Sequence, residues 1–165
     1  MPTTPVTQQG PTSGSVGMSY EWGIDVNTGT PSTPIWTNIP DVTGLDPNRS
    51  AVTAKGTTYA NKGAESNIKV GNNFSPKFNI KPIFDATGLA QPAVEALWAA
   101  ADAVGSASNV GVRIYSFRAK SQAWQGTVSV SASRQNTGDS DVEFVAFQTT
   151  GNGDFVKITN PAFGS

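Results

Sequence analysis

The chain of 165 residues has no histidine and no cysteine. Those absences remove Ser-His and Cys-His catalysis, His- and Cys-ligated metals, thiolate chemistry and disulfides together, leaving carboxylates, Lys, Tyr and hydroxyls as the available chemistry. A chain without cysteine is also indifferent to the redox compartment in which it folds. Charge is scarce as well: charged residues make up 14%, against roughly 25% in an ordinary soluble domain. Lys+Arg 11 against Asp+Glu 12 gives a net charge of −1, so no basic footprint for gripping nucleic acid is present. No apolar run approaches the ~18 residues of a membrane span. The first residues lack a basic region followed by an apolar one, so neither a membrane partner nor a targeting signal is expected.

What the chain does have is Gly 17, Pro 11 and recurrent Ser, Thr and Asn, the makeup of a turn-rich all-β protein. Its length suits one domain with a useful core. The clearest stretch runs from Ala123 to Arg134. Trp124, Gly126, Val128, Val130 and Ala132 alternate there with Gln125, Thr127, Ser129, Ser131 and Ser133, the period of two of a half-buried strand. One face must be covered, and the other is a smooth wall of small uncharged hydroxyl and amide groups.

In chain order, residues 1–17 form a Pro/Thr/Gln/Gly/Ser tract with little to bury, expected to be a flexible or extended arm. Met18 to Val26 alternates as a strand, Asn27-Thr28-Gly29-Thr30-Pro31 is turn chemistry, and Pro34 to Val42 reads as its return strand. Residues 47–73 lack a period and read as a long loop, a class that is often functional or ordered by a partner. Phe74 to Phe84 alternates again, but Pro76 and Pro82 predict an edge position or outward-facing prolines. Residues 91–104 form the single predicted helix, opened by Pro92 and closed by Gly105, with Val94, Leu97, Trp98 and Ala101 on one face. Val110 to Ala119, the Ala123 strand and Val142 to Thr150 predict a meander. Gly151-Asn152-Gly153 reads as a turn, Phe155 to Thr159 as a short last strand, and residues 161–165 as a tail. The expected fold is therefore mainly β, a β-sandwich or barrel of about six to seven antiparallel strands with one flanking α-helix, in a single domain over residues 18–160.

No catalytic constellation stands out. Asp139, Asp141 and Glu143 lack the ligand series of a calcium loop. Glu21 and Asp25 share a strand face, but nothing sets their pKa values apart as glycoside hydrolysis needs. No phosphate-binding glycine loop is present. No catalytic, metal or cofactor role is assigned, and the chain is not expected to be an enzyme. Trp22, Trp36, Trp98 and Trp124 leave a carbohydrate- or surface-binding module as an alternative if they are exposed and coplanar, although all four sit in apolar registers.

The run Trp22-Gly23-Ile24-Asp25-Val26-Asn27-Thr28-Gly29-Thr30, continued by Pro34-Ile35-Trp36-Thr37-Asn38-Ile39, resembles the opening hairpin of major tail (tail tube) proteins of long-tailed bacteriophages, especially those of actinobacterial hosts. Asp85-Ala86-Thr87-Gly88, Ala93-Val94-Glu95-Ala96-Leu97 and Asp141-Val142-Glu143-Phe144-Val145-Ala146-Phe147-Gln148 extend the similarity over roughly residues 18–160. The resemblance implies a virion protein, assembled in the host cytoplasm, that closes into hexameric rings and stacks them into a tube for DNA ejection. Its partners would be itself, the tape measure, terminator and distal tail proteins, and transiently passing double-stranded DNA. A tail terminator or completion protein of the same broad fold remains an alternative. On this reading Gln125, Thr127, Ser129, Ser131 and Ser133 face the lumen, and Thr58, Tyr59, Asn61 and Lys62 belong to an inter-subunit loop; Lys77 and Lys81 on the lumen face would work against easy DNA passage.

Overall fold

The computed structural model describes residue 14, residues 16–135 and residues 138–164. Most of the expected N-terminal arm, Asn136 and Thr137 of the predicted turn, and Ser165 of the tail lie outside the described residues. Within them the order is β1 (Trp22–Asn27), β2 (Trp36–Asn38), β3 (Val42–Asp46), β4 (Arg49–Lys55), β5 (Asn67–Phe74), β6 (Lys77–Ile80), α1 (Pro92–Asp102), β7 (Asn109–Ser116), β8 (Ala123–Gln135) and β9 (Phe144–Lys157). Seven strands form one antiparallel sheet in the order β2-β1-β7-β8-β9-β6-β3, while β4 and β5 make a separate hairpin. The fold is thus mainly β with one helix.

The topology dictates the curvature of the sheet. β2 and β3 are its two edges, yet only Ile39, Pro40 and Asp41 join them. In a flat sheet the edges would stand about 29 Å apart at about 4.8 Å per strand, and the chain from Asn38 to Val42 reaches at most about 14 Å. The sheet must roll until its edges approach. Inside it lies one apolar core: Ile24 and Val26 of β1, Phe78 and Ile80 of β6, Val112 and Ile114 of β7, Val128 and Val130 of β8, and Val145 and Phe147 of β9. α1 completes it with Ala93, Val94, Leu97 and Ala100. Helix entry is fixed by Glu95, which accepts from the Ala90 N–H at 2.8 Å, and by Gln91, which donates to Asp41 at 3.1 Å, so α1 is tied to the connection that closes the roll.

Several expectations need correction. The long loop over residues 47–73 is the β4–β5 hairpin, paired from Arg49↔Phe74 to Lys55↔Asn67. Nearly all of it is exposed on both faces, so it lacks the one-sided apolar period by which strands are recognised. The return strand ends at Asn38, since Pro40 cannot donate to a ladder, and Val42–Asp46 pairs instead with β6 across the opposite edge. β6 itself lies between β3 and β9, not at an edge. Its flanking prolines stay outside the ladder, and the Pro76 carbonyl accepts from the buried Thr149 hydroxyl at 2.6 Å. α1 ends at Asp102, and its buried face includes Ala93 and Ala100, while Trp98 and Ala101 are half-covered.

Nor is Gly151-Asn152-Gly153 a turn: β9 runs through it as one strand of 14 residues, with a register shift opposite Gly126 and Val128. Gly151 is there for close approach. A Cβ at this position would stand 2.5 Å from the Phe74 carbonyl oxygen, because the root of the hairpin crosses β9 at this point and Phe74 stacks on Phe155 at 5.0 Å. Gly151→Ala is expected to lower stability by about 1–3 kcal/mol through this overpacking, and Leu97→Ala by about 2–5 kcal/mol through the cavity left under α1. Urea denaturation reads both, and an unchanged midpoint for Gly151→Ala would contradict the crossing.

Candidate functional site

The ladder registers assign the second face of the sheet residue by residue. Gln125 pairs with Arg113, which pairs with Asp25, which pairs with Asn38. Ser129 lies between Asn109 and Thr150, and Thr127 opposite Gly111. Ser131 opposes Gln148, then Lys77 and Asp46, while Ser133 opposes Ala146, then Asn79 and Gly44. The five residues singled out from sequence thus share one face with a further set of amides and hydroxyls. Thr127, Ser131 and Ser133 are exposed, and Gln125 and Ser129 half-buried. Val156 and Phe144 give this face an apolar residue near each end.

Charge on this face is mixed: Arg113 and Lys77 have acidic register neighbours, whereas Lys81 forms no ion pair among the described residues. Lys77 lies on it, as the sequence allowed, but its register partner on β3 is Asp46. Lys81 stands over the Phe144 ring at 5.0 Å. The Arg113 Nε donates to Asp25 at 2.6 Å, with the carboxylate almost fully buried. Asn38 and the Tyr115 hydroxyl donate to the other Asp25 oxygen at 2.9 and 3.0 Å. The Tyr115 ring reaches Asp25 by lying across Gly23, where a Cβ would come within 2.9 Å of it, and the Arg113 guanidinium in turn covers Trp36 at 4.9 Å. This cluster locks β1, β2 and β7 together and neutralises its own charge.

Elsewhere the structure separates groups that sequence placed together. Glu21 accepts from the Met18 N–H and from Arg118, which hold its carboxyl below the usual range, whereas Asp25 belongs to the Arg113 cluster. They are two separate ion pairs, not an acid/base couple. Glu143 pairs with Arg134, and no group of three or more potential ligands that could hold a metal occurs among the described residues. The tryptophans form no open platform: Trp22 stacks on Trp124, Arg49 covers Trp124, Arg113 covers Trp36, and Trp98 lies against Phe84 and Arg134. The residues assigned to the inter-subunit loop sit at the hairpin tip, where a 3-10 turn spans Tyr59–Asn61 and Lys62 has φ of +49°. Tyr59 is fully exposed there. Sequence reasoning missed Asp25, Arg113, Tyr115 and Asn38 as a unit, because their proximity arises only from pairing three strands.

No protein-family profile matches the chain, and no curated protein matches it in sequence. Solved structures do match. The chain is similar to a subunit in the tail of an empty GTA particle refined with C6 symmetry, at a TM-score of 0.65 and 10% identity over 87% of this chain and 100% of that one. It is similar to the SPP1 tail tube protein at 0.54 and 11% identity over 87% and 79%, and to a chain of the six-fold symmetrised anti-feeding prophage baseplate at 0.53 and 11% over 87% and 97%. The fold is that of tail tube proteins. At these identities the likeness is one of architecture, and it covers most of the chain.

Burial, then the neighbouring Asp25 charge and hydrogen bond, push the Tyr115 phenol from its ordinary 10.0 up to about 12. The folded state keeps this proton when the unfolded state releases it. The resulting stabilisation is complete below pH 10 and disappears as pH rises through about 12. Denaturation midpoints measured across that window should fall for the wild type and fall less for Tyr115→Phe. Equal slopes would mean that the fold does not raise the phenol's pKa.

Proposed function

We propose that this chain is a tail tube subunit: six copies close into a ring, rings stack into a hollow tube, and the polar face of the sheet lines the lumen through which double-stranded DNA passes. The observation that carries the reading is the polar face itself, on a fold shared with chains of a C6-symmetric tail, a tail tube and a six-fold symmetrised baseplate. A conduit for DNA needs a wall that does not bind phosphate, because each neutralised phosphate releases counterions and adds affinity. A surface of Thr, Ser, Gln and Asn, with Lys77 by Asp46 and Arg113 by Asp25, serves that need, and Lys81 on the same face works against it.

Ring closure draws support from the sheet edges. β2 is three residues long and lies between Pro34 and Pro40, and β3 carries a bulge. The far end of β8, beyond Ser129, pairs with β9 alone among the described residues. An unpaired length of strand is a template for a neighbour's strand, and head-to-tail pairing that closes makes a ring, while stacking that does not close makes a filament. The hairpin tip at Thr58, Tyr59, Asn61 and Lys62 is the inter-subunit element. The particle is a virion tail assembled in the host cytoplasm with tape measure, terminator and distal tail proteins, and the phrasing of the opening hairpin supports an actinobacterial host.

Replacing Thr127, Ser129 and Ser131 together by Lys tests the lumen assignment. Tubes should still form with unchanged diameter, retain double-stranded DNA that wild-type tubes release, and release it as salt is raised, with about one counterion displaced per added phosphate contact. Loss of assembly would instead make this face a subunit interface.

A further inference from the structure

We propose that the β4–β5 hairpin of one copy docks on the surface formed by residues 83–89 and the C-terminal end of α1 of a second copy. The inference rests on the tube reading above and names the acceptor for its hairpin.

The hairpin cannot be self-sufficient. A two-stranded ribbon is marginally stable alone, and this one is anchored at its root, through Phe74 on Phe155 and Arg49 over Trp124. Beyond the root, Val52 and Ile68 share a face of the ribbon by register, with Val70 in the bulge beside them. These three side chains are 39% to 62% exposed. Along the same arm run Arg49, Lys55, Lys62 and Lys69 against the single acid Glu65, so an otherwise slightly acidic chain projects a basic, apolar-faced arm.

The acceptor has the opposite character. Ile83, Phe84 and Leu89 are 45% to 60% exposed within seven residues, a density of apolar surface that marks interaction sites. They are held in place beforehand. Asp85 accepts from the Thr87 N–H, the Thr87 hydroxyl and the Leu89 N–H at 2.7 to 3.1 Å, and Phe84 stacks on Trp98 at 5.9 Å. Such preorganisation lowers the cost of binding. From residue 82 to residue 112 the charged residues are Asp85, Glu95 and Asp102, with no Lys or Arg. Of the nearby cations, Lys81 lies over Phe144, and Arg134, over Trp98, is paired with Glu143. Asp102 also stands in the last turn of α1, where the helix dipole disfavours an acid and no basic residue offsets it. An incoming basic arm relieves that conflict.

Lys55 and Lys69 point away from the Val52–Ile68 face. Their role is therefore a field that steers the arm toward the acidic surface, while the apolar side chains supply the contact.

The absence of native cysteine makes cross-linking a clean test. Full-length chains carrying Ile68→Cys with Ile83→Cys, or Val70→Cys with Leu89→Cys, are oxidised in the assembled state as judged by sedimentation. A ladder of covalently joined chains is expected from the pairs and none from any single variant. Assembled material without a ladder overturns the acceptor assignment and leaves the tube reading standing; chains that neither sediment as assemblies nor cross-link overturn both. In a second measurement, Lys55→Glu with Lys69→Glu, and separately Asp102→Lys, should each slow assembly on the order of tenfold at low salt, and rates insensitive to both would overturn the steering.

Discussion

Everything in this molecule depends on a sheet whose two faces differ in chemistry and which is forced to roll. Three residues join strands that would otherwise lie at opposite ends of seven, so the apolar face is turned inward and α1 is captured there. The outward face is then fixed by the same registers. Because side chains alternate strictly along a strand, burying Trp124, Val128 and Val130 in the core commits Gln125, Thr127 and Ser129 to the other side. The core does not merely hold the fold together; it determines which groups form the wall.

The Asp25 cluster shows how such a wall tolerates charge. A buried ion pair is weak evidence for stability, but removing one partner leaves an uncompensated charge. Asp25 is satisfied by three partners, Arg113 and Tyr115 on β7 and Asn38 on β2, and the guanidinium lies over Trp36. Its effect is to pin the β2 end of the rolled sheet while presenting no unpaired charge outward. At the opposite edge Lys77 is the register neighbour of Asp46.

Much of this was legible in the sequence, and the failures have physical causes. β8 announced itself because one face is buried and the other solvated, the condition under which a period of two appears. α1 announced itself through Pro92 and the spacing of Val94 and Leu97. The hairpin was illegible because exposure on both faces erases the period, and a segment without a period looks like a loop. Gly151-Asn152-Gly153 misled because glycine has two uses. It is a turn former, but Gly151 serves close backbone approach to Phe74, a contact between residues far apart in the chain. The polar face was half legible: the five β8 residues could be named, but the Asp25 cluster needed the β1–β7 and β1–β2 registers, which no local pattern encodes.

A basic exposed arm, an apolar acidic patch that it fits, and a strand end with pairing groups to spare are features a monomer has no use for. All three are accounted for if the chain is a unit of a polymer with a polar bore. The most direct measurement is electron microscopy of the purified protein at high concentration. Hollow tubes or stacked six-fold rings are predicted, with the β8 hydroxyl face turned to the bore in a reconstruction. A protein that stays monomeric at every concentration and salt, or tubes with that face buried between subunits, would contradict the account.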